Sequence, residues 1–536
     1  MDAALHPDAL HSLTEKLIAC PSVSPGIEGE TRCARAIAEN LPPRIERGEW
    51  PTPDGRPVLW AFVPGRKPDT VVLLGHCDTV GVGEYATLGA PEGERIAFDC
   101  EAVRQRLVRE ANENPTALSP DALADIEREG RRPGTWLFGR GALDMKSALA
   151  VAIGVLSALA ARRPPLACGV LLVVTPDEEH ESLGMMTALR GLRQLRDERR
   201  LGYAGMLNLD YAPEPAVYLG AMGKLEACAY ALGRPAHAAR PFAGVDAAHI
   251  AAAVATRVAG SREMVDVFGE QRGVPPVILR LRDLKTEYNV QTALEAWVEF
   301  NVITIQRPLE ETFLALRHEA GQAMQEVLRR RFELSAWIEP LASERPADPD
   351  AQSAVLTYSD LLDRAEVGVE FVPDEGGHET GDARAATLAR LRALCRLAGV
   401  AGPAVVLHLL PPFYPHAAPG SGLLSRATLA ALVGERGLAV RPFYPLISDG
   451  CYAAWRGEPP ETIARYLPSL GREYTLPYAD SVALDLDLVS LGPWGHDAHG
   501  LCERVNVAYA FERLPQLILK LLGQVSDLLE SGPAAG

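Results

Sequence analysis

Val71-Val72-Leu73-Leu74-Gly75-His76-Cys77-Asp78 is an apolar run that stops at a histidine and an aspartate one residue apart. A short continuous apolar run of this kind reads as a strand buried on both faces, the pattern of a parallel sheet covered by helices. Side chains alternate along a strand, so His76 and Asp78 leave its end pointing the same way. One can ligate a metal, and the other can hold the imidazole in place. Four more polar clusters end an apolar or glycine-rich approach: Asp144 after Gly139-Arg140-Gly141, Asp177-Glu178-Glu179 after Leu171-Leu172-Val173-Val174, Asp210 after Leu207-Asn208-Leu209, and His496-Asp497-Ala498-His499. Together the five clusters read as one site built from nitrogen and oxygen ligands.

Outward from that run, the first half alternates strand-like and helix-like segments, with strands predicted at 58–63, 71–75 and 169–175 and a helix at 147–161. The fold class expected is α/β, a mixed and largely parallel sheet flanked by helices. Ligands at the carboxyl ends of strands are where an open α/β sheet places its site. Residues 84–134 interrupt the alternation with a polar, helix-leaning insertion, most helical at 101–110 and 120–129. After Gly223 the pattern changes to strands at about 224–233, 277–285, 296–304 and 331–338 with two long helices at about 245–259 and 308–330. That segment reads as a compact α+β unit with a four-stranded sheet and two helices. From about 350 the α/β character returns and ends in a helix after Arg513. The domains expected are 1–221 and 343–536 as one discontinuous α/β domain, with 222–342 inserted into it.

Composition narrows the class. At about 150 residues per domain, 536 residues make several domains, and 47% hydrophobic with 23% charged residues is ordinary for a globular protein. A formal charge of −17 and the lack of a Lys/Arg run of the kind that binds polyanions argue against a nucleic-acid partner. The nine cysteines are scattered and contain no C-x-x-C pair, which fits a reducing, cytoplasmic setting. No stretch approaches 18 uninterrupted apolar residues, so no membrane span is expected.

Two divalent ions about 3.5–4 Å apart need a bridging carboxylate, terminal ligands for each and a base beside the shared water. His76 supplies an imidazole, and Asp78 can accept the hydrogen bond of its other ring nitrogen. Asp144 precedes a long apolar helix, where a short acid is commonly an N-cap, but its glycine-rich approach lets backbone come close to a ligand. Glu178 and Glu179 repel each other unless a cation or proton relieves them; Glu179 is read as a ligand and Glu178 as the proton acceptor. Asp210 is a further terminal carboxylate, while His499 and His496 compete for the last place. Imidazole and carboxylate donors without thiolate favour Zn²⁺, with Co²⁺ or Mn²⁺ as alternatives.

These clusters, in this order, resemble the M20 metallopeptidase superfamily: G-H-x-D at 75–78, G-R-G-x-x-D-M-K at 139–146, D-E-E at 177–179 and H-x-x-x-E-x-V at 499–505. The last pattern selects His499 over His496. Within the superfamily, the phrases at 135–141, 217–225 and 288–292 look most like the RocB-type arginine-utilisation proteins. The resemblance implies His76 and Asp210 on one metal, Glu179 and His499 on the other, and Asp144 across both. It also implies Asp78 as the residue orienting His76, Glu178 as general base, and 222–342 as a lid. His237 in the lid would polarise the scissile carbonyl, and Asn289 would give that carbonyl a second contact. The activity implied is hydrolysis of an amide bond in a small peptide or N-acyl amino acid, with a homodimer through the lid as a further implication. Arg234, Arg240 and Arg280 are equal candidates to anchor a substrate carboxylate. A rival reading is a metal-binding protein of the same fold without catalysis, for which a base beside the metals would be needless. A serine hydrolase lacks its G-x-S-x-G, and a P-loop lacks the glycine before Lys146.

Overall fold

The computed structural model describes residues 3–88, 93–338, 354–371 and 382–531, which fall into two compact units. The first comprises Met1–Ala221, Ala417–Trp455 and Ala479–Gly536. Its eight-stranded sheet runs, edge to edge, Glu46–Pro51, Pro57–Val63, Gly169–Thr175, Asp69–His76, Gly202–Asn208, Leu488–Ser490, Ala216–Tyr218 and Ala439–Arg441. Asp69–His76 pairs in parallel with Gly169–Thr175 on one side and Gly202–Asn208 on the other. Antiparallel pairing is confined to the Glu46–Pro51 edge and a single bridge between Ser490 and Tyr218. The sheet is therefore mixed with a parallel centre, as the doubly buried apolar runs require.

In register, His76 lies opposite Thr175 and Leu74 opposite Asn208. Three strands thus end side by side, and the chains that leave them carry Asp78, Glu178, Glu179 and Asp210. Ser147–Ala161 follows Asp144 and is buried along nearly its whole length, which is why it shows almost no polar face. With the preceding turn it is long and apolar enough to cross a membrane, yet 89% of that window lies inside the protein. A small antiparallel sheet of Gly495–His496, Arg504–Asn506 and Trp136–Phe138 brings the His499 loop beside the glycine-rich approach to Asp144.

The insertion forms the helices Cys100–Glu113 and Pro120–Arg131, capped by Asp99 and Ser119. It belongs to the first unit.

The second unit is Met222–His416 with Arg456–Tyr478, and here two expectations are corrected. Its sheet has five strands rather than four, in the order Val277–Asp283, Glu295–Thr304, Gly223–Leu232, Ala404–Tyr414 and Ala354–Thr357. Residues 331–338, expected as a strand, instead continue the helix Leu309–Ile338. The place on the sheet is taken by Ala404–Tyr414, which pairs with Gly223–Leu232 across its length and is buried at every position. The unit therefore extends well past 342; the expected boundary there lies outside the described residues. Besides Ala247–Val258 and Leu309–Ile338, it contains Tyr358–Arg364 and Ala383–Leu397. The last two share a core with Tyr230, Trp297 and Val406.

A candidate metal centre at the strand ends

His76, Asp78, Asp144, Glu178, Glu179, Asp210 and His499 all belong to the first unit and converge where its central strands end. Asp144 occupies the middle. Its Oδ1 lies 2.9 Å from His76 Nε2 and its Oδ2 lies 3.0 Å from His499 Nε2. Glu179 Oε2 is 3.1 Å from His499 Nε2, and Asp210 Oδ1 is 4.0 Å from His76 Nε2. Donor atoms of His76, Asp144 and Glu179 all come within 4.8 Å of one another. Asp78 accepts backbone N–H bonds from Glu178 and Glu179 at 3.2 and 3.1 Å, and its Oδ1 is 3.6 Å from His76 Nδ1. One buried carboxylate therefore ties the end of the His76 strand to the glutamate pair.

The turn carrying those glutamates is held from behind. Asp177 adopts a left-handed φ of 68°, a conformation that costs a non-glycine residue about 1–3 kcal/mol and persists only where neighbours impose it. Its carboxylate pairs with Arg56 at 2.8 Å and accepts the Leu183 N–H at 3.1 Å, while its own N–H donates to Glu30 at 2.9 Å. Arg56 also pairs with Glu30 at 2.8 Å.

Buried acid dominates the electrostatics. Burial pushes Asp210 up to about 7, reinforced by the Asp144 charge, and pushes Glu178 well above the carboxylate range, with Asp210, Glu179 and Asp449 adding to the effect against His76. Glu179 is raised by burial and by Asp144. Burial works against protonated imidazole, yet the surrounding carboxylates hold His76 well above its usual value and His499 at about 10. Asp144 resists the upward push of burial because both imidazoles hydrogen-bond to it, and it stays below the carboxylate range. Among the described residues no Lys or Arg pairs with Asp78, Asp144, Glu178, Glu179 or Asp210. Glu179 Oε1 is buried without a hydrogen-bond partner. So many carboxylates out of water call for a cation, and the donor set, two imidazoles with three carboxylates, suits divalent ions of the zinc kind. The residues fit the metal.

Access is uneven. His76, Asp144 and Asp210 are nearly sealed, whereas the His499 side chain is 48% exposed.

His496 lies apart from this cluster. Its Nδ1 is 2.9 Å from Asp125 of the insertion, and its ring packs on Trp136 and Trp494. His237 and Asn289 belong to the second unit and are both exposed. His237 Nδ1 accepts the Ala239 N–H at 3.1 Å, and the Asn289 side chain accepts the Gln291 N–H at 3.2 Å.

Several residues at the centre had no role in the sequence reading. Glu503 and Arg140 lie inside the quoted motifs but carried no assignment. Asp449 is buried, accepts a 2.7 Å bond from the Thr175 hydroxyl, and is pushed up to about 7 by burial. It follows no apolar strand run, so the rule that found the other acids passes over it.

The profile of peptidase family M20/M25/M40 matches residues 120–388. "Uncharacterized protein YqjN" of Bacillus subtilis (strain 168) is 29% identical over 91% of this chain and 89% of its own length. "Protein RocB" of the same strain is 26% identical over 95% of this chain and 94% of its own length. Among solved structures, the aminopeptidase PepT from Bacillus cereus ATCC 10987 superposes with a TM-score of 0.52 at 14% identity, covering 98% of this chain and all of that one. At that identity the likeness is one of fold.

Proposed function

The chain belongs to peptidase family M20/M25/M40, and from that membership we propose that it is a metal-dependent hydrolase cleaving an amide bond in a small peptide or N-acyl amino acid. The observation that carries the proposal is Asp144, whose two oxygens face two different imidazoles at 2.9 and 3.0 Å. A carboxylate shared by two ions needs that disposition. In this reading His76 and Asp210 hold one ion, Glu179 and His499 hold the other, and Zn²⁺ is the first choice over Co²⁺ or Mn²⁺. The ions, when bound, lower the pKa of a shared water and polarise the substrate carbonyl.

The protein's own groups do the rest. Asp78 orients His76 and, through its bonds to the Glu178 and Glu179 N–H groups, keeps the base and a ligand in register with that strand end. Glu178 takes a proton from the attacking water and returns it to the leaving amine. Its buried, acid-crowded surroundings raise its proton affinity, which a base working near neutral pH requires. His237 keeps the role the resemblance implies, polarising the carbonyl, with Asn289 as a second contact. All nine cysteines are free and buried, which supports a reducing cytoplasmic setting.

The test is amine release from a panel of dipeptides and N-acyl amino acids, arginine derivatives included, by chelated protein with and without Zn²⁺, Co²⁺ or Mn²⁺. Metal-restored release from one class establishes the hydrolase and its substrate type. Tight metal binding with no release from any class favours a binding protein instead.

A further inference from the structure

Glu503 and Arg140 are both sealed from solvent, their side chains 0% and 1% exposed, and between them they touch the segments that carry Asp144 and His499. Glu503 Oε1 accepts the backbone N–H of Leu143 at 3.1 Å and of Asp144 at 3.2 Å. Its Oε2 lies 2.6 Å from Arg140 Nη1. The other arm of the guanidinium donates to the carbonyl oxygen of His499 at 3.1 Å and to the Glu84 carboxylate. One carboxylate thus holds the backbone from which Asp144 projects, and one guanidinium holds the backbone from which His499 projects. His499 also has a left-handed φ of 65°, which a non-glycine residue keeps only where its surroundings over-determine it. The Arg140 bond to its carbonyl is such a restraint. Glu84, with Tyr85 whose ring stands 5.6 Å from the guanidinium carbon, comes from the start of the insertion.

We propose that Glu503 and Arg140 form a positioning pair that sets Asp144 and His499 at the angles two metal ions require, and that the 84–134 insertion takes part in it through Glu84. The proposal rests on the metal-hydrolase reading above. The physical reason is the fork. A planar guanidinium can satisfy a carboxylate and a carbonyl at fixed angles at once, and a single ammonium cannot. Asp144 is shared by both proposed ion sites, whereas His499 serves one. Disturbing Glu503 should therefore loosen both ions, and disturbing only the His499 arm should loosen one.

The test titrates Co²⁺ into chelated wild type, Arg140→Lys and Glu503→Gln, following the visible absorption of the bound ion, with circular dichroism and thermal melting of each metal-free chain. Outer-shell changes typically cost about 10–100-fold in metal affinity. Arg140→Lys, whose ammonium keeps the Glu503 carboxylate and gives up the His499 carbonyl, is expected to weaken one of two ions by that factor and leave the other, while Glu503→Gln weakens both and alters the absorption envelope. Where either variant fails to fold metal-free, Glu84→Gln, which removes only the outer and partly exposed partner, is expected to give a smaller loss confined to one ion. Wild-type affinities and spectra in the folded variants, or a lowered melting temperature with an unchanged Co²⁺ spectrum, overturn the positioning role alone. Failure of the wild type itself to take up Co²⁺ overturns the metal-hydrolase reading and this proposal with it.

Discussion

Replacing Arg56 by methionine should unfold the neighbourhood of the metal centre by an amount that depends on pH. Arg56 is 3% exposed and pairs through Nη1 with Glu30 and Asp177, both at 2.8 Å and both buried, and through Nη2 with the partly exposed Asp54 at 2.7 Å. Loss of the Asp54 leg costs about 0–1 kcal/mol. Breaking a buried pair by removing one partner costs about 3–5 kcal/mol, because the remaining charge is left uncompensated. At pH 8 both Glu30 and Asp177 are ionised and two buried pairs are broken, so a loss of at least about 3–5 kcal/mol is expected. At pH 5.5 the situation differs. Burial and the Asp78 charge push Glu30 up to about 7, while hydrogen bonds and Arg56 hold Asp177 below the usual range against its burial. A folded-state pKa above the unfolded one means that Glu30 favours the fold below about 4.5, and that this contribution is lost as pH rises through about 7. At pH 5.5 Glu30 is thus largely neutral in the fold and only Asp177 is stranded, so the loss should be smaller than at pH 8 by the contribution of the Glu30 pair. The assay is urea unfolding of wild type and Arg56→Met at the two pH values, with the slope checked for constancy. A loss below about 1 kcal/mol at pH 8, or an equal loss at both values, would refute the argument.

Glu178→Gln should leave metal affinity within a few-fold of wild type and reduce kcat/KM for amine release by about 10²–10⁴-fold; activity within tenfold of wild type would remove Glu178 as the base. Chelation should lower the melting temperature and metal should restore it, since free metal at a thousand times its Kd adds about 4 kcal/mol; a melting curve indifferent to metal would count against the site. In the second unit, burial pushes His408 down to about 3, so the folded chain refuses a proton that the unfolded chain accepts from about pH 6.5 downward. Stability should then fall by about 2 kcal/mol between pH 7 and pH 5 on this account. His408→Leu should flatten that slope in chemical unfolding measured across the range, and an unchanged slope would exonerate the histidine.

Local pattern made much of the fold legible. The helix Ser147–Ala161 and the strand Gly169–Thr175 stand at their expected bounds, because an all-apolar run can only be buried and its length separates helix from strand. Residues 331–338 misled for the opposite reason. Arg-Phe-Glu-Leu-Ser-Ala-Trp-Ile alternates polar and apolar like a half-buried strand, yet the helix Leu309–Ile338 runs through it. Once a long helix is propagating, each further residue adds a hydrogen bond without a new nucleus, and local alternation does not stop it. The fourth strand could not be found nearby, since Ala404–Tyr414 joins from far along the chain. At the centre, acids that end a strand were visible as such. Glu503 and Arg140 stood inside the motifs without a role and Asp449 had none either, since their importance lies in the distant groups they meet.

By itself the sequence determined which chemistry was available: which strands are buried on both faces, and which histidines and acids leave their ends together, because side-chain alternation is a local property of the backbone. Only the tertiary structure decided how those groups pair. His496 and His499 are three residues apart, and the pairing of Arg504–Asn506 with Trp136–Phe138 goes with one histidine beside Asp125 and the other beside Asp144. The two oxygens of Asp144 face different imidazoles, and its backbone N–H is held by Glu503 from the far end of the chain. Contacts of that range depend on strand register and burial across the whole unit, and no local spacing encodes them.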